Sequence, residues 1–362
     1  MSRLSFPHLL GAAATALLLA ISPTSAAEKT KVGFVYVGPV GDFGWSYRHD
    51  VGRKAIEEKF GDQVETTFVE SVPEGADAER VIRQLAAAGN DLIFTTSFGF
   101  MNPTLKVAKQ FPNVKFESAT GYKRTKNVAT YAARFYEGRV ISGILAGRMT
   151  KSGKIGYIGS FPIPEVVRGI NAFTLALRKI RPDAEVNVVW VNSWYDPGNE
   201  AAAAQALIDQ GADVIMQHTD SPAPVQVAQE RGVWAVGQAS DMAKFGEKSQ
   251  LTAIIDDWNA YYIARTQAVI DGTWESGDTW GGFAEDMVAL APFNQAIPAA
   301  VRAEANQAVA DIKSGKLLPF AGPIRNQKGE LIVAEGASLD EAALSSMNWN
   351  WYVEGVKGDL PK

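Results

Sequence analysis

Residues 31–37 read KVGFVYV, and about 120 residues further on 154–158 read KIGYI. Both are short apolar runs rich in β-branched and aromatic side chains, the composition of a buried strand. Working outward, 64–69 (VETTFV) answers to 186–191 (VNVVWV), and 92–96 (LIFTT) answers to 214–217 (VIMQ). Helix-like stretches fill the gaps, at 76–88 in the first half and 199–210 in the second. Two strand–helix series of this kind predict an α/β fold of two doubly wound parallel-sheet lobes. Ligands in such sheets bind outside the carboxyl ends of the strands. Two lobes facing one another therefore make a cleft.

The 362-residue chain is 46% hydrophobic and 21% charged, an ordinary globular balance. Its start reads differently. Arg3 precedes an apolar run at 9–21 (LLGAAATALLLAI), too short for a stable membrane anchor, and Pro23 and the small residues 24–27 follow. This pattern predicts a cleaved export signal over 1–26 and a periplasmic mature protein. There is no cysteine, so disulfides, thiolate metal sites and a cysteine-linked lipid anchor are excluded. The formal charge of −5 becomes about −6 once Arg3 is removed, which argues against nucleic acid as a partner.

Along the mature chain, 31–131 is expected to form a first lobe, with strands at 31–37, 64–69, 92–96 and 114–117. A helix and crossover at 132–152 follow, where Gly138, Gly143, Ala146 and Gly147 suit tight helix packing. The second lobe is expected over 153–290, and a C-terminal segment at 291–362 is expected to pack across the lobes. Within these ranges 272–290 reads as a hairpin, as does 320–333 with its turn at 326–329. Short, structured crossings favour a hinge over flexibly tethered domains.

The loops after strands point into the cleft and carry the candidate site. After the first strand, Phe43 and Trp45 stand on a glycine-rich loop, where they either flank a planar ligand or anchor the loop; Ser46 is a candidate helix cap. Trp194 and Tyr195 occupy the corresponding place in the second lobe, before an expected N-cap at Asp196 and Pro197 at the first helical position. Trp45 and Trp194 would then sandwich a ring between lobes. Ser97 closes the third strand of the first lobe, and Thr219 and Asp220 close its counterpart. Asp220 suits a ligand N–H or hydroxyl, or else caps the helix after it. Asp241 follows the fourth strand of the second lobe.

No catalytic motif of known mechanics occurs, and with three histidines and no cysteine neither a metal nor another cofactor is expected. Paired cleft carboxylates leave an exported nucleoside hydrolase as the enzyme alternative.

The run 38–45 with its following helix, Phe98-Gly99-Phe100, Gly138 within 134–138, Gly159-Ser160 and 237–241 together resemble the basic membrane protein (BMP) family. These are substrate-binding components of ABC importers, similar to purine nucleoside receptors. The resemblance spans 31–362. It implies a periplasmic-binding-protein fold with a hinge, no catalysis, and delivery of the ligand to an ABC permease in the inner membrane by a monomeric receptor. A chemoreceptor is the other possible recipient. By the same resemblance Trp45 and Trp194 match the base-flanking rings, and Asp241 matches a ligand-bonding acid. Asp256 stands where nucleoside receptors carry a ribose-contacting lysine, and Ala119-Thr120-Gly121 where they carry an acid. The resemblance thus implies a free purine base, adenine-like, or a related planar heterocycle, with a full nucleoside as the alternative.

Overall fold

The computed structural model describes residues 1–2, 28–41 and 43–361; the expected export signal lies outside them apart from its first two residues. The first half runs β1 (Thr30–Val35), α1 (Gly44–Phe60), β2 (Val64–Val69), α2 (Ala76–Ala87), β3 (Leu92–Thr95), α3 (Met101–Ala108), β4 (Lys115–Ala119) and β5 (Val128–Ala133). After α4 (Phe135–Met149) the scheme repeats as β6 (Lys154–Gly159), α5 (Pro164–Ile180), β7 (Glu185–Trp190), α6 (Pro197–Asp209), β8 (Val214–His218), α7 (Ala223–Arg231), β9 (Trp234–Gly237) and β10 (Gln250–Asp256). The remainder comprises α8 (Asn259–Ile270), β11 (Asp278–Gly281), β12 (Val288–Leu290), α9 (Ala299–Lys313), the hairpin β13 (Ile324–Arg325) and β14 (Leu331–Val333), α10 (Glu341–Ser345) and β15 (Val356–Lys357).

The strands form two sheets, ordered β11-β5-β4-β3-β1-β2 and β12-β10-β9-β8-β6-β7-β15. Within these two sheets all pairings are parallel except that between β10 and β12; β13 and β14 form a separate antiparallel pair. The internal repeat is therefore real: β1 lies between β2 and β3 as β6 lies between β7 and β8. Strands such as β3 and β8 are buried along their whole length, as sheets covered on both faces require.

The lobe boundary differs from the sequence expectation. The segment 257–281 returns to the first lobe, where Tyr262 of α8 packs on Phe34 and Phe94 and β11 adds to β5. The hairpin expected at 272–290 does not form, because β11 and β12 pair with different sheets. The reason is visible at Glu117 on β4. Its wholly buried carboxylate accepts from Tyr261 Oη (2.7 Å), Trp274 Nε1 (2.7 Å) and the Arg265 guanidinium, fastening α8 and the following loop to the first lobe. The chain thus passes between lobes near 134, 257 and 282–287, a threefold connection suited to a hinge.

Helix α4 belongs to the second lobe and packs closely on α5. A Cβ on Gly143 would fall 2.4 Å from the Phe173 carbonyl oxygen, so the small residues set the helix separation. The C-terminal segment is tied chiefly to the second lobe: β15 pairs with β7, and Asn171 on α5 bonds the backbone of Trp351 and Val353. Trp349 and Trp351 stack at 5.5 Å, with Trp349 against Phe320. The stretch around α10 reaches the lobe junction, through the Glu341–Arg134 ion pair and through Ser346 and Met347, which face Tyr122 and Arg124 of the first lobe across one pocket.

Candidate functional site

Between the carboxyl ends of the two sheets, at the lobe junction, lies a narrow cavity. Trp45 and Trp194 line it from opposite lobes, and Phe98 and Ile163 add apolar wall. Trp45, in the first turn of α1, is fixed by its indole N–H, which donates to the Thr96 carbonyl at 2.6 Å. Trp194, in the loop before α6, leans on Phe161 with centroids 5.1 Å apart. The helix after it starts as expected, with Asp196 accepting from Asn199 N–H at 3.0 Å and Pro197 next.

The polar lining comprises Ser97, Thr120, Glu165, His218, Asp220 and Gln238; among the described residues it contains no lysine or arginine. Asp220 is buried, and desolvation, then the charge of Glu200, pushes its carboxyl well above the usual range. It does not cap α7, whose N-cap is Pro222. Glu200 shapes the loop, accepting from Ser221 N–H (3.1 Å) and Oγ (2.7 Å). His218 Nε2 lies 3.5 Å from Glu165 Oε1. Burial holds this imidazole below its usual pKa against the pull of Glu165, so it is neutral at neutral pH. With Nε2–H towards Glu165, Nδ1 is an acceptor, and it has no partner among the described residues. Beneath this wall the buried Arg139 donates to the Gln217 carbonyl at 2.9 Å and to the Gln238 side chain, holding two strand ends together. The arrangement can stack a flat ring and bond its edge, mostly through acceptors.

Of the expected residues, Trp45, Ser97, Trp194 and Asp220 meet at this cavity; four do not. Phe43 packs instead on Phe245 of the other lobe, edge-on at 4.4 Å, with Lys244 Nζ 4.0 Å from its ring, because the turn before α1 carries it past the cleft. Tyr195 is 41% exposed, turned outward by the bend into α6. Thr219 is wholly buried behind the wall, where its carbonyl accepts from Gln217. Asp241 is exposed and accepts from Ala243 N–H (2.9 Å) and Gln250 Nε2 (2.8 Å). The left-handed backbone at Ala239 (φ 61°) turns the chain away before Asp241 is reached. Ser46 lies inside α1, accepting from Gly38 N–H at 3.1 Å; the N-cap is Phe43 and offers no side-chain bond. Glu165, His218 and Gln238 were missed as lining residues. Their position at strand ends and at the start of α5 was the available signal.

Two doubly wound lobes with a tryptophan-lined cleft at their junction define a periplasmic-binding-protein fold. The chain matches the family described as ABC transporter substrate-binding protein, PnrA-like, over residues 29–318. It is 57% identical to a protein of Brucella abortus named as a purine-binding protein, across 93% of this chain and 95% of that one. It is 38% identical to a Haloferax volcanii protein named as a candidate ABC transporter glucose-binding protein, across 93% and 83%. A solute-binding protein structure of an ABC transporter system from Aeropyrum pernix superposes with a TM-score of 0.70 at 18% identity, covering 90% of this chain and 100% of that chain. The chain belongs to the PnrA-like family of ABC transporter substrate-binding proteins. No helix among the described residues is long and apolar enough to cross a membrane.

Proposed function

We propose that the cleft binds a free purine base, adenine-like, and that the protein carries it as a periplasmic monomer to the permease of its ABC transporter without turning it over. One observation carries this reading: two tryptophans of opposite lobes line a single small cavity whose polar groups are mainly acceptors. A flat base offers two faces to the indoles, each stack worth roughly 1–3 kcal/mol. Its ring and amino N–H groups suit Asp220, Glu165 and His218. The name of the Brucella abortus relative supports the same ligand class. Anionic ligands are disfavoured because no lysine or arginine lines the cavity among the described residues.

A nucleoside is the second reading, favoured by a space of about 250 Å³ that adjoins the cavity at Phe98, Thr120 and Glu165. Calorimetric titration with adenine, hypoxanthine, adenosine and glucose separates the readings. Adenine should bind at micromolar concentration or tighter. Tighter binding of adenosine would replace the base reading, and binding of glucose alone would overturn both. Incubation with adenosine should release no adenine; sustained release would make the protein a hydrolase.

A further inference from the structure

Each tryptophan that lines the cavity is met by a residue of the opposite lobe. Helix α1, which carries Trp45, has no side-chain cap of its own, so its first N–H groups need partners from elsewhere. Ser240, in the second lobe, supplies one: its Oγ accepts from Gly44 N–H at 2.8 Å. Asp220 lies beside the same helix end, whose positive dipole favours an acidic neighbour. The approach is close enough to require glycine. Gly44 has φ +84°, and a Cβ there would fall 2.4 Å from the Asp220 carbonyl oxygen.

The reciprocal contact comes from Glu74, in the loop between β2 and α2. Its Oε1 accepts from Ser97 Oγ at 2.5 Å and Gly99 N–H at 3.0 Å, both within the first lobe. The carboxylate is therefore aimed before the second lobe arrives. Its third donor is the indole N–H of Trp194, at 3.1 Å across the cleft.

We propose that Glu74 and Ser240 are positioning residues that couple lobe closure to assembly of the stacking walls: Ser240 caps the Trp45 helix from across the cleft, and Glu74 fixes the Trp194 indole. Bringing the lobes together then completes a helix end and orients a ring in one movement. Affinity is controlled by groups that do not line the cavity. The binding half of this inference rests on the stacked-base reading; the closure half does not.

The absence of cysteine makes labelling selective. Lys109→Cys and Glu230→Cys, both at exposed positions on opposite lobes, allow spin-label distances to be measured in the ligand-free protein. Glu74→Ala and Ser240→Ala should each move the distribution towards longer separations. Unchanged distributions in both variants would overturn the closure half, whatever the ligand proves to be. In titrations with adenine, each variant should weaken binding about three- to tenfold through faster dissociation. In a Trp194→Phe background, which lacks the indole N–H, Glu74→Ala should cost nothing further. An equal loss in both backgrounds would show that Glu74 acts by another route. If adenine does not bind the parent protein, the base reading fails alone and the distances still decide the coupling.

Discussion

The imidazole of His49 meets Trp45 edge-on, with centroids 4.4 Å apart, and lies flat against Trp258 at 5.0 Å. His49 Nδ1 bonds the Tyr262 hydroxyl, which in turn lies 2.7 Å from the Tyr131 hydroxyl. Burial, and then the charge of Arg48, holds His49 well below the usual imidazole range, so this stack is neutral at neutral pH. Trp45 thus rests on the ring core of its own lobe. Trp194 has Phe161 beside it and a partner across the cleft. The two walls differ in how they are supported.

That difference predicts unequal effects. Trp194→Ala and Trp45→Ala should each weaken adenine binding at least about tenfold, since a lost stack is worth roughly 1–3 kcal/mol. Trp45→Ala should also lower Tm, because it opens a void against His49 and Trp258; Trp194→Ala should leave Tm nearly unchanged. Calorimetry and thermal melts on both variants check this. Unchanged affinity would remove the residue from the binding wall.

The two aspartates read from the loops should separate cleanly. Asp220→Asn exchanges a carboxyl oxygen on the cavity wall for an amide NH2 that cannot accept, and should cost about tenfold in adenine affinity, in keeping with ~1–3 kcal/mol for a buried polar group left unsatisfied. Asp241→Asn acts on an exposed turn and should change affinity by less than about twofold. The opposite ranking in titrations would restore Asp241 to the site.

Asp256 predicts a pH dependence of stability. It is wholly buried, and neither carboxylate oxygen has a partner among the described residues. Burial raises its pKa well above the ordinary carboxylate value; Arg48 and Arg139 oppose this, while Glu165 and Asp220 add to it. Between the ordinary and the raised value the folded state holds the proton and the unfolded state has lost it. This group's contribution to stability therefore falls as pH rises through that window, then levels off. The Tm difference between Asp256→Asn and the parent should be small near pH 4 and should grow, in favour of the variant, towards pH 8. A difference that does not change with pH would remove Asp256 as the titrating group.

Glu117 tests the connection between lobes. Glu117→Ala strips Tyr261, Trp274 and Arg265 of a shared buried acceptor, and losing one side of a buried charge pair costs about 3–5 kcal/mol. Hydrogen exchange should quicken first in α8 and β11, ahead of β1 and β3. Uniform loss of protection across both sheets would contradict a local anchor.

The paired strands at 31–37 and 154–158, their helices and the two tryptophans that line the cavity were legible in the sequence. Short apolar runs and aromatic rings on strand-end loops carry their meaning locally. The helix start at Asp196 and Pro197 was legible for the same reason: a cap is made within a few residues. Phe43, Tyr195, Thr219 and Asp241 also sit on strand-end loops, yet single backbone turns, such as the left-handed residue Ala239, point them elsewhere.

Sequence alone therefore determined the two-lobe architecture and the kind of wall the cleft presents, because periodicity and loop chemistry are local properties. Tertiary structure decided that 257–281 rejoins the first lobe, since Glu117 selects partners some 150 residues away. It also decided which acids face the cavity, and that Ser240 and Glu74 reach across it. Those outcomes depend on distances between segments remote in the chain, set by packing and by the need to satisfy buried polar groups.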